Sequence, residues 1–214
     1  MSEERYFNFP IQMLSGFIND TQKVLNEITD YAIYEYSLKL EFGNELERIK
    51  PSADFYGVNL SSEKKTLDKG IILYNSIPIN SPKVGLNILI FWDFYKNDKT
   101  EFEKVCLLIF LSIKSVLGKK TYCKTNKQFL FNRVIGSDKN TLRLEDFDEP
   151  LFKYANNRRL WDKINLELQM NWGLKYYSNR DKGFYVSFIM DETKFYTIVM
   201  EQKNSLKVSE VLIE

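Results

Sequence analysis

The chain has no histidine among its 214 residues. Imidazole is the side chain that most often transfers protons near neutral pH, activates serine or cysteine nucleophiles and ligates zinc. Its absence excludes Ser-His and Cys-His catalysis and nearly all zinc sites. The only two cysteines, Cys106 and Cys123, fit neither a disulfide framework nor a CxxC metal-binding pair. Cys106 falls within an apolar helical pattern, so we interpret it as a buried core residue.

Long apolar runs and glycine-rich phosphate loops are also missing. The longest apolar block, residues 105–113, has half the length of the roughly 20 residues that a membrane span requires. The patterns GxxxxGK[ST], GxGxxG and GxSxG do not occur. The N-terminus begins with polar and acidic residues, unlike a secretory signal. We therefore expect a cytoplasmic protein with no membrane contact, no cofactor, no metal and no catalytic residues.

The residues that are present indicate an ordered globular protein, because 44% are hydrophobic and 15% are aromatic. We predict an α+β fold that is mostly α. It would have a helical N-terminal region, residues 1–99, followed by a C-terminal region, residues 100–214.

Helical periodicity in the N-terminal region predicts a long helix from about residue 19, capped by Asn19 or Asp20. A second helix is predicted over 61–75, capped by Ser61 or Ser62, and a short helical segment over 45–50 that Pro51 ends. Residues 5–13 are predicted as either a short edge strand or an extended arm, and residues 84–91 as a strand.

The C-terminal region has clearer signals. Thr100 and Glu103 have the spacing of a capping box, and the apolar helix that follows is predicted to be central and buried. Thr125 is predicted to cap a second helix, 126–135. A third helix, from residue 153 to 172, has an apolar stripe that leads into a hairpin of strands 174–178 and 184–190. Residues 195–200 are predicted as a further strand.

This order of three helices and a hairpin resembles that of the winged helix-turn-helix superfamily. The resemblance covers the C-terminal region alone and implies that the third helix enters the major groove of DNA while the hairpin forms the wing. The sequence departs from the pattern in the connector 137–150, which is longer than the tight turn between the helices of a standard helix-turn-helix. This connector contains either a short strand, 141–144, or an insertion.

Charge is distributed unevenly along the chain. Residues 1–100 contain 11 basic and 14 acidic side chains, whereas residues 114–143 contain eight basic and one acidic. Residues 144–150 have a net charge of −4, and residues 151–188 return to +4. A positive C-terminal region is the pattern expected of a protein that contacts phosphates.

Basic and amide side chains at the second helix, the third helix and the hairpin tip are therefore predicted to contact double-stranded DNA. Arginine reads guanine edges, asparagine reads adenine, and lysine contacts phosphates. The predicted DNA-binding residues are Lys124, Lys127, Arg133, Lys153, Asn157, Arg158, Arg159, Lys163, Arg180 and Lys182.

Several alternatives stay open at this point. Arg158 and Arg159 could instead cover the helix surface, or pair with the acidic segment 145–149. The aromatic residues of the hairpin could stack single-stranded bases or form a core. The acidic segment could hold Mg²⁺ as in a nuclease, although such clusters are more often solvated loops.

We therefore predict a non-catalytic DNA-binding protein, either a transcription regulator or an accessory factor of replication or of a mobile element. The alternative is a protein-interaction or scaffold protein that uses the winged helix and the tyrosine-rich N-terminal region without contacting DNA. Its partner would be a second copy of the chain, in a homodimer, or another protein.

Overall fold

The computed structural model of the protein describes residues 4–136, 147–178 and 183–211, with side chains described through residue 202. These residues form a mostly helical α+β fold, as predicted. The helices are α1 Thr21–Ser37, α2 Glu45–Tyr56, α3 Glu63–Ser76, α4 Ile88–Lys96, α5 Glu101–Leu117, α6 Lys127–Val134, α7 Leu151–Asn156, α8 Arg158–Asn171 and α9 Glu192–Val211, with a short 3-10 helix, Ile11–Leu14, before α1. The strands are β1 Tyr6–Pro10, β2 Lys83–Asn87, β3 Cys123–Thr125, β4 Lys175–Ser178 and β5 Phe184–Ser187.

In the N-terminal region, α1, α2 and α3 pack together beside an antiparallel pair of strands, β1 and β2. The predicted caps of α1 and α3 are confirmed: the backbone N–H of Lys23 donates to the side chain of Asp20, and that of Lys65 donates to Ser62. These caps satisfy backbone donors that have no partner inside the helix.

The prediction that Pro51 ends a short helix is wrong, because α2 continues through Pro51 to Tyr56. Proline lacks the amide that would donate to the carbonyl of Glu47, four residues earlier. Ala53 and Tyr56, which follow Pro51, are buried. Their packing outweighs the single lost hydrogen bond, and Gly57, with a φ of 69°, then ends the helix.

The predicted strand 84–91 is half correct. Strand β2 ends at Asn87, whose side chain accepts a hydrogen bond of 2.9 Å from the backbone of Leu89 and so caps α4. Ile88, Phe91 and Phe94 are buried. Their spacing of three residues is helical rather than alternating, which is why this segment folds as a helix.

Helix α5 is the central helix that the sequence predicts. Both hydrogen bonds of the Thr100–Glu103 capping box are present. The helix packs against β2, α6 and α8. The hydroxyl of Ser112 donates to the carbonyl of Leu130, at 2.7 Å, and so ties α5 to α6 inside the core.

Two features of the next segment differ from the prediction. Asn126, not Thr125, caps α6, because its side chain accepts a hydrogen bond of 2.8 Å from the backbone of Phe129. Thr125 instead belongs to strand β3, which the sequence analysis did not predict. Strand β3 pairs with β5, and the predicted hairpin β4–β5 is confirmed, so the antiparallel sheet has the order β3-β5-β4.

The predicted third helix, 153–172, is two helices. Asn157 has an extended backbone, ends α7 and begins α8. Its side chain accepts a hydrogen bond of 3.2 Å from the backbone of Leu160. Asparagine is a favoured N-cap because its short side chain competes with helical backbone bonding. The chain therefore changes direction at this residue.

The prediction of a strand at 195–200 is wrong, because this segment lies within α9. The side chain of Asp191 accepts a hydrogen bond of 3.2 Å from the backbone of Lys194 in the first turn. Phe195 and Val199, four residues apart, are fully buried. They pack against Tyr185 of β5 and so attach α9 to the sheet.

A single hydrophobic cluster contains residues of both predicted regions, among them Phe7 and Leu25 of the first and Leu108, Ile164 and Val186 of the second. The boundary between residues 99 and 100 stays a prediction. Within the described ranges, no helix combines the length and apolar character needed to cross a membrane.

Candidate nucleic-acid interface

Helix α8 presents basic side chains from its first two turns. Arg158 has 93% of its side chain exposed, and Arg159 and Lys163 are also exposed. The side of the helix opposite Arg159 and Lys163 contributes Trp161 and Ile164 to the core. Arg158, three residues before Trp161, lies at the edge between the exposed and the buried side, because residues three and four apart share one side of a helix.

Helix α6 packs beside α8, with the ring centres of Phe131 and Trp161 6.0 Å apart. Lys127, the first residue of α6, is half-buried, and burial lowers its pKa. The carboxylate of Asp162 on α8 acts on the pKa of Lys127 in the opposite direction. Asp162 also lies 4.0 Å from Arg158.

Strand β3 extends the same surface. Lys124 is exposed between two buried neighbours, and its ammonium lies 5.7 Å from the centre of the Tyr185 ring. Gly183, at the base of the hairpin, has a φ of 97°, and a Cβ there would lie 2.3 Å from the carbonyl oxygen of Thr125. Only glycine allows the backbone of the hairpin to approach Thr125 so closely.

We call the surface formed by five of the predicted residues the basic face. Three of its members are on α8, one is at the start of α6 and one is on β3. Ring contacts join α8 to α6 and to β5, and β5 pairs with β3. The basic face consists of Lys124, Lys127, Arg158, Arg159 and Lys163.

Other predicted residues have different surroundings. Asn157 is exposed beside the basic face, with its side-chain oxygen used by the α8 cap. Lys153 lies on α7, and its ammonium is 2.9 Å from the carboxylate of Glu101 at the start of α5. Arg133 lies in the last turn of α6, with its guanidinium 5.8 Å from the centre of the Phe129 ring. Arg180 and Lys182 lie outside the described residues.

Part of the acidic connector lies away from the basic face. Asp148 and Glu149 line a cleft with residues 14–19, at the end of the 3-10 helix and before α1. Glu145 and Asp146 lie outside the described residues, as does the predicted strand 141–144. In the described part of the chain, no group of three or more carboxylates and thiols is arranged to hold a metal ion.

Of the five aromatic residues of the hairpin, two are packed inside the protein and three are half-buried. Phe184 and Tyr185 are buried. The Phe184 ring centre lies 5.6 Å from that of Trp161 and 4.9 Å from that of Tyr176. Rings enclosed in this way have no free face on which a base could stack.

Two features were missed by the sequence analysis. Leu166 and Met170 are 60% and 74% exposed on the outer side of α8. They continue the line of Arg159 and Lys163 at helical spacing, so the sequence contained this signal. The second is a polar cleft between α1, α3 and α4, whose residues are too far apart in sequence to be grouped without the fold.

No family model, curated protein or solved structure matches the chain.

Proposed function

We propose that this is a non-catalytic DNA-binding protein of the cytoplasm, acting in regulation or as an accessory factor of replication or of a mobile element. In this proposal, the C-terminal region is a winged helix and α8 enters the major groove of double-stranded DNA. The hairpin β4–β5 is the wing.

The arrangement of the basic face carries this proposal. A major groove accepts an α-helix whose exposed side is polar, and residues near the N-terminus of that helix usually reach the base edges. Arg158 and Arg159 are the first two residues of α8 and are exposed. Lys127 and Lys124 flank them on neighbouring elements, where phosphates on either side of the groove would lie.

The order of the elements also supports the proposal. Three helical parts, α5, α6 and the α7–α8 pair, precede the hairpin, as the resemblance to winged helices requires. The turn that follows α6 is not short, since 16 residues separate Val134 from Leu151. The angle between α6 and α8 in this protein is therefore set by the core rather than by a tight turn.

A second candidate function is docking of a protein partner, and one observation favours it. Leu166 and Met170 give the second half of α8 an exposed apolar surface, and exposed large apolar side chains are a common feature of protein interfaces. In a DNA complex, the same side chains would contact thymine methyl groups.

The proposal is tested by measuring binding to fluorescent duplex DNA of mixed sequence as a function of salt concentration. We expect binding at low salt that weakens steeply as salt rises, because phosphate contacts release counterions. The double variant Arg158→Ala, Arg159→Ala should bind about 100-fold more weakly, since each base contact contributes about 1–3 kcal/mol. Its melting temperature should be unchanged because both side chains are exposed.

The matched control is Lys23→Ala with Lys39→Ala, which removes two exposed charges from the N-terminal region and should leave DNA affinity unchanged. Equal affinity of the arginine variant and the wild type would remove α8 from the interface. Absence of binding at low salt, together with elution in a larger defined complex, would favour the protein-docking function.

A further inference from the structure

The N-terminal region contains a cleft that the DNA-binding proposal does not use. It lies between α1, α3 and α4 and has a volume of about 260 Å³. Helices α1 and α3 contribute three residues each to its lining and α4 contributes two, and the segment 58–61 before α3 completes it. We call it the α1–α3 cleft, defined by Asn26, Asp30, Lys65, Lys69, Trp92 and Tyr95.

The inner wall of the cleft holds a carboxylate that is mostly removed from water. The side chain of Asp30 is 15% exposed and lies 3.5 Å from the ammonium of Lys69. Burial raises the pKa of Asp30, while Lys69 and Lys65 act in the opposite direction. The ionised form of Asp30 therefore lowers the stability of the fold. Buried carboxylates of this kind are more common at functional sites than at ordinary surfaces.

The packing of α1 on α3 fixes this wall. Gly70 lies where the two helices touch, and a Cβ there would be 2.5 Å from the Cβ of Tyr34 and 3.0 Å from the carbonyl oxygen of Asp30. Neither contact can be accommodated without moving a helix. Lys69 is next to this contact, so its backbone is held at a fixed place opposite Asp30.

Lys65 supplies a second positive charge at the opening. It is exposed, one turn before Lys69 on α3. In the described part of the chain, no carboxylate lies within 4.0 Å of its ammonium. Asp30 compensates one of the two lysines, which leaves the cleft with a net positive charge.

Aromatic rings form the third wall. Trp92 and Tyr95 on α4 have ring centres 5.2 Å apart at an angle of 76°. The hydroxyl of Tyr95 donates to the side-chain oxygen of Asn26, at 3.1 Å, which links this wall to α1. Lys96 lies 5.5 Å from the centre of the Trp92 ring, so a second cation on that ring would be repelled.

We propose that the α1–α3 cleft binds a small planar anion, namely an aromatic or heteroaromatic ring with one phosphate or carboxylate group. The ring packs against Trp92 and Tyr95, and the anionic group bonds to Lys65 and Lys69. Pockets for drug-sized ligands begin at about 300 Å³, so a volume of about 260 Å³ limits the ligand to a nucleoside monophosphate or smaller. This site is independent of the proposed DNA-binding function.

Calorimetric titration of the full chain with four probes tests the proposal. Adenosine monophosphate and indole-3-carboxylate combine a ring with an anion, whereas adenosine and inorganic phosphate each supply one half. We expect at least one of the first two to bind about 10-fold or more tightly than either half. Tighter binding of the first identifies a nucleotide, and tighter binding of the second identifies an aromatic carboxylate.

The matched variants are Lys65→Met and Lys64→Met, neighbours on α3 of which only Lys65 lines the cleft. Loss of a charge-assisted hydrogen bond should weaken binding about 10-fold or more in Lys65→Met. Lys64→Met should bind as the wild type does. Both residues are exposed, so folding is retained and is checked by thermal melting.

Three results would overturn the proposal. The first is no heat of binding with any probe at about 5 mM, a concentration that detects dissociation constants near 1 mM. The second is equal weakening by Lys64→Met and Lys65→Met, which would indicate a general effect of charge. The third is binding of phosphate alone as tight as that of both combined probes, because the ring would then contribute nothing.

Discussion

The α1–α3 cleft and the basic face both contain lysines, but they differ in shape and in charge compensation. In the cleft, Lys69 lies 3.5 Å from a mostly buried carboxylate, and the charges converge on a small volume. On the basic face, Arg158 is 93% exposed and its carboxylate neighbour, Asp162, is 4.0 Å away. Converging, partly compensated charges suit a small ligand, whereas exposed charges spread over three elements suit a charged polymer.

The cleft and the basic face each contain one group whose charge is opposed by burial. Asp30 in the cleft and Lys127 on the basic face are each shifted by burial toward the neutral form. Arg158, Arg159 and Lys163 are exposed to water. Groups whose charge is opposed by burial are candidates for functional roles.

The largest expected effect tests whether the N-terminal and C-terminal regions unfold as one unit. Leu108 on α5 is fully buried in the cluster that both regions share. Leu108→Ala should lower the free energy of unfolding by about 2–5 kcal/mol, because a cavity forms. Calorimetry should show one unfolding transition, shifted to lower temperature. Two transitions, of which only one moves, would mean that the cleft and the basic face belong to independent folding units.

A smaller effect should distinguish the lysines that we propose to contact DNA from those that we do not. Lys163→Ala should weaken DNA binding several-fold and lower the slope of log affinity against log salt by about 1, as expected for one phosphate contact. Lys153→Ala should change neither quantity, because the Lys153 ammonium is held 2.9 Å from Glu101. If the two variants have the same salt slope, the basic face does not extend along α8 as proposed.

Substitutions of Asn157 distinguish a role in capping α8 from a role in DNA recognition. Asn157→Ala should reduce the free energy of unfolding by about 1 kcal/mol, since the cap of α8 is lost. Asn157→Ser keeps a capping oxygen and should restore most of that stability. With the capping oxygen used inside the protein, we expect DNA affinity of the serine variant to equal that of the wild type. A selective loss of affinity for adenine-containing sites would instead make Asn157 a base reader.

The smallest expected effect is a gain in stability. Because burial raises the pKa of Asp30, its ionised form opposes folding at pH 7 and not at a pH below the raised pKa. Asp30→Asn should raise the free energy of unfolding at pH 7 by no more than about 1 kcal/mol. The gain should shrink as pH falls toward 4. Denaturation by urea between pH 4 and pH 7 measures this, with the exposed Asp68→Asn as a control; a gain independent of pH would contradict the assignment.

Much of the local structure could be read from short patterns. The capping box at Thr100, the caps at Asp20 and Ser62, the apolar period of α5 and the hairpin all follow from interactions within a few residues. Such contacts depend little on the rest of the chain, so the sequence states them directly.

The errors share a different origin. Pro51 lies inside α2 because buried neighbours outweigh one lost hydrogen bond, and residues 195–200 are helical because Phe195 and Val199 pack on the sheet. Strand β3 has three residues, too few for a detectable alternation, and exists because β5 pairs with it. In each case, a contact between distant segments decided the conformation.

The basic face and the α1–α3 cleft show the same division between what local sequence and what tertiary packing determine. Arg158, Arg159 and Lys163 form one group in the sequence because they are within two turns of one helix. Their association with Lys124 and Lys127, the pairing of Lys153 with Glu101, and the entire α1–α3 cleft depend on how the elements pack.

The sequence by itself determined helices such as α1, α3 and α5, several of their caps and the basic character of the C-terminal region, since these depend on periodicity, local hydrogen bonds and composition. Only the tertiary structure decided which charges meet. Asp30 and Lys69 are separated by 38 residues in sequence, and a 3.5 Å contact between them exists because Gly70 allows α1 and α3 to touch. Packing of that kind is a property of the whole core and is not encoded in any single stretch of the chain.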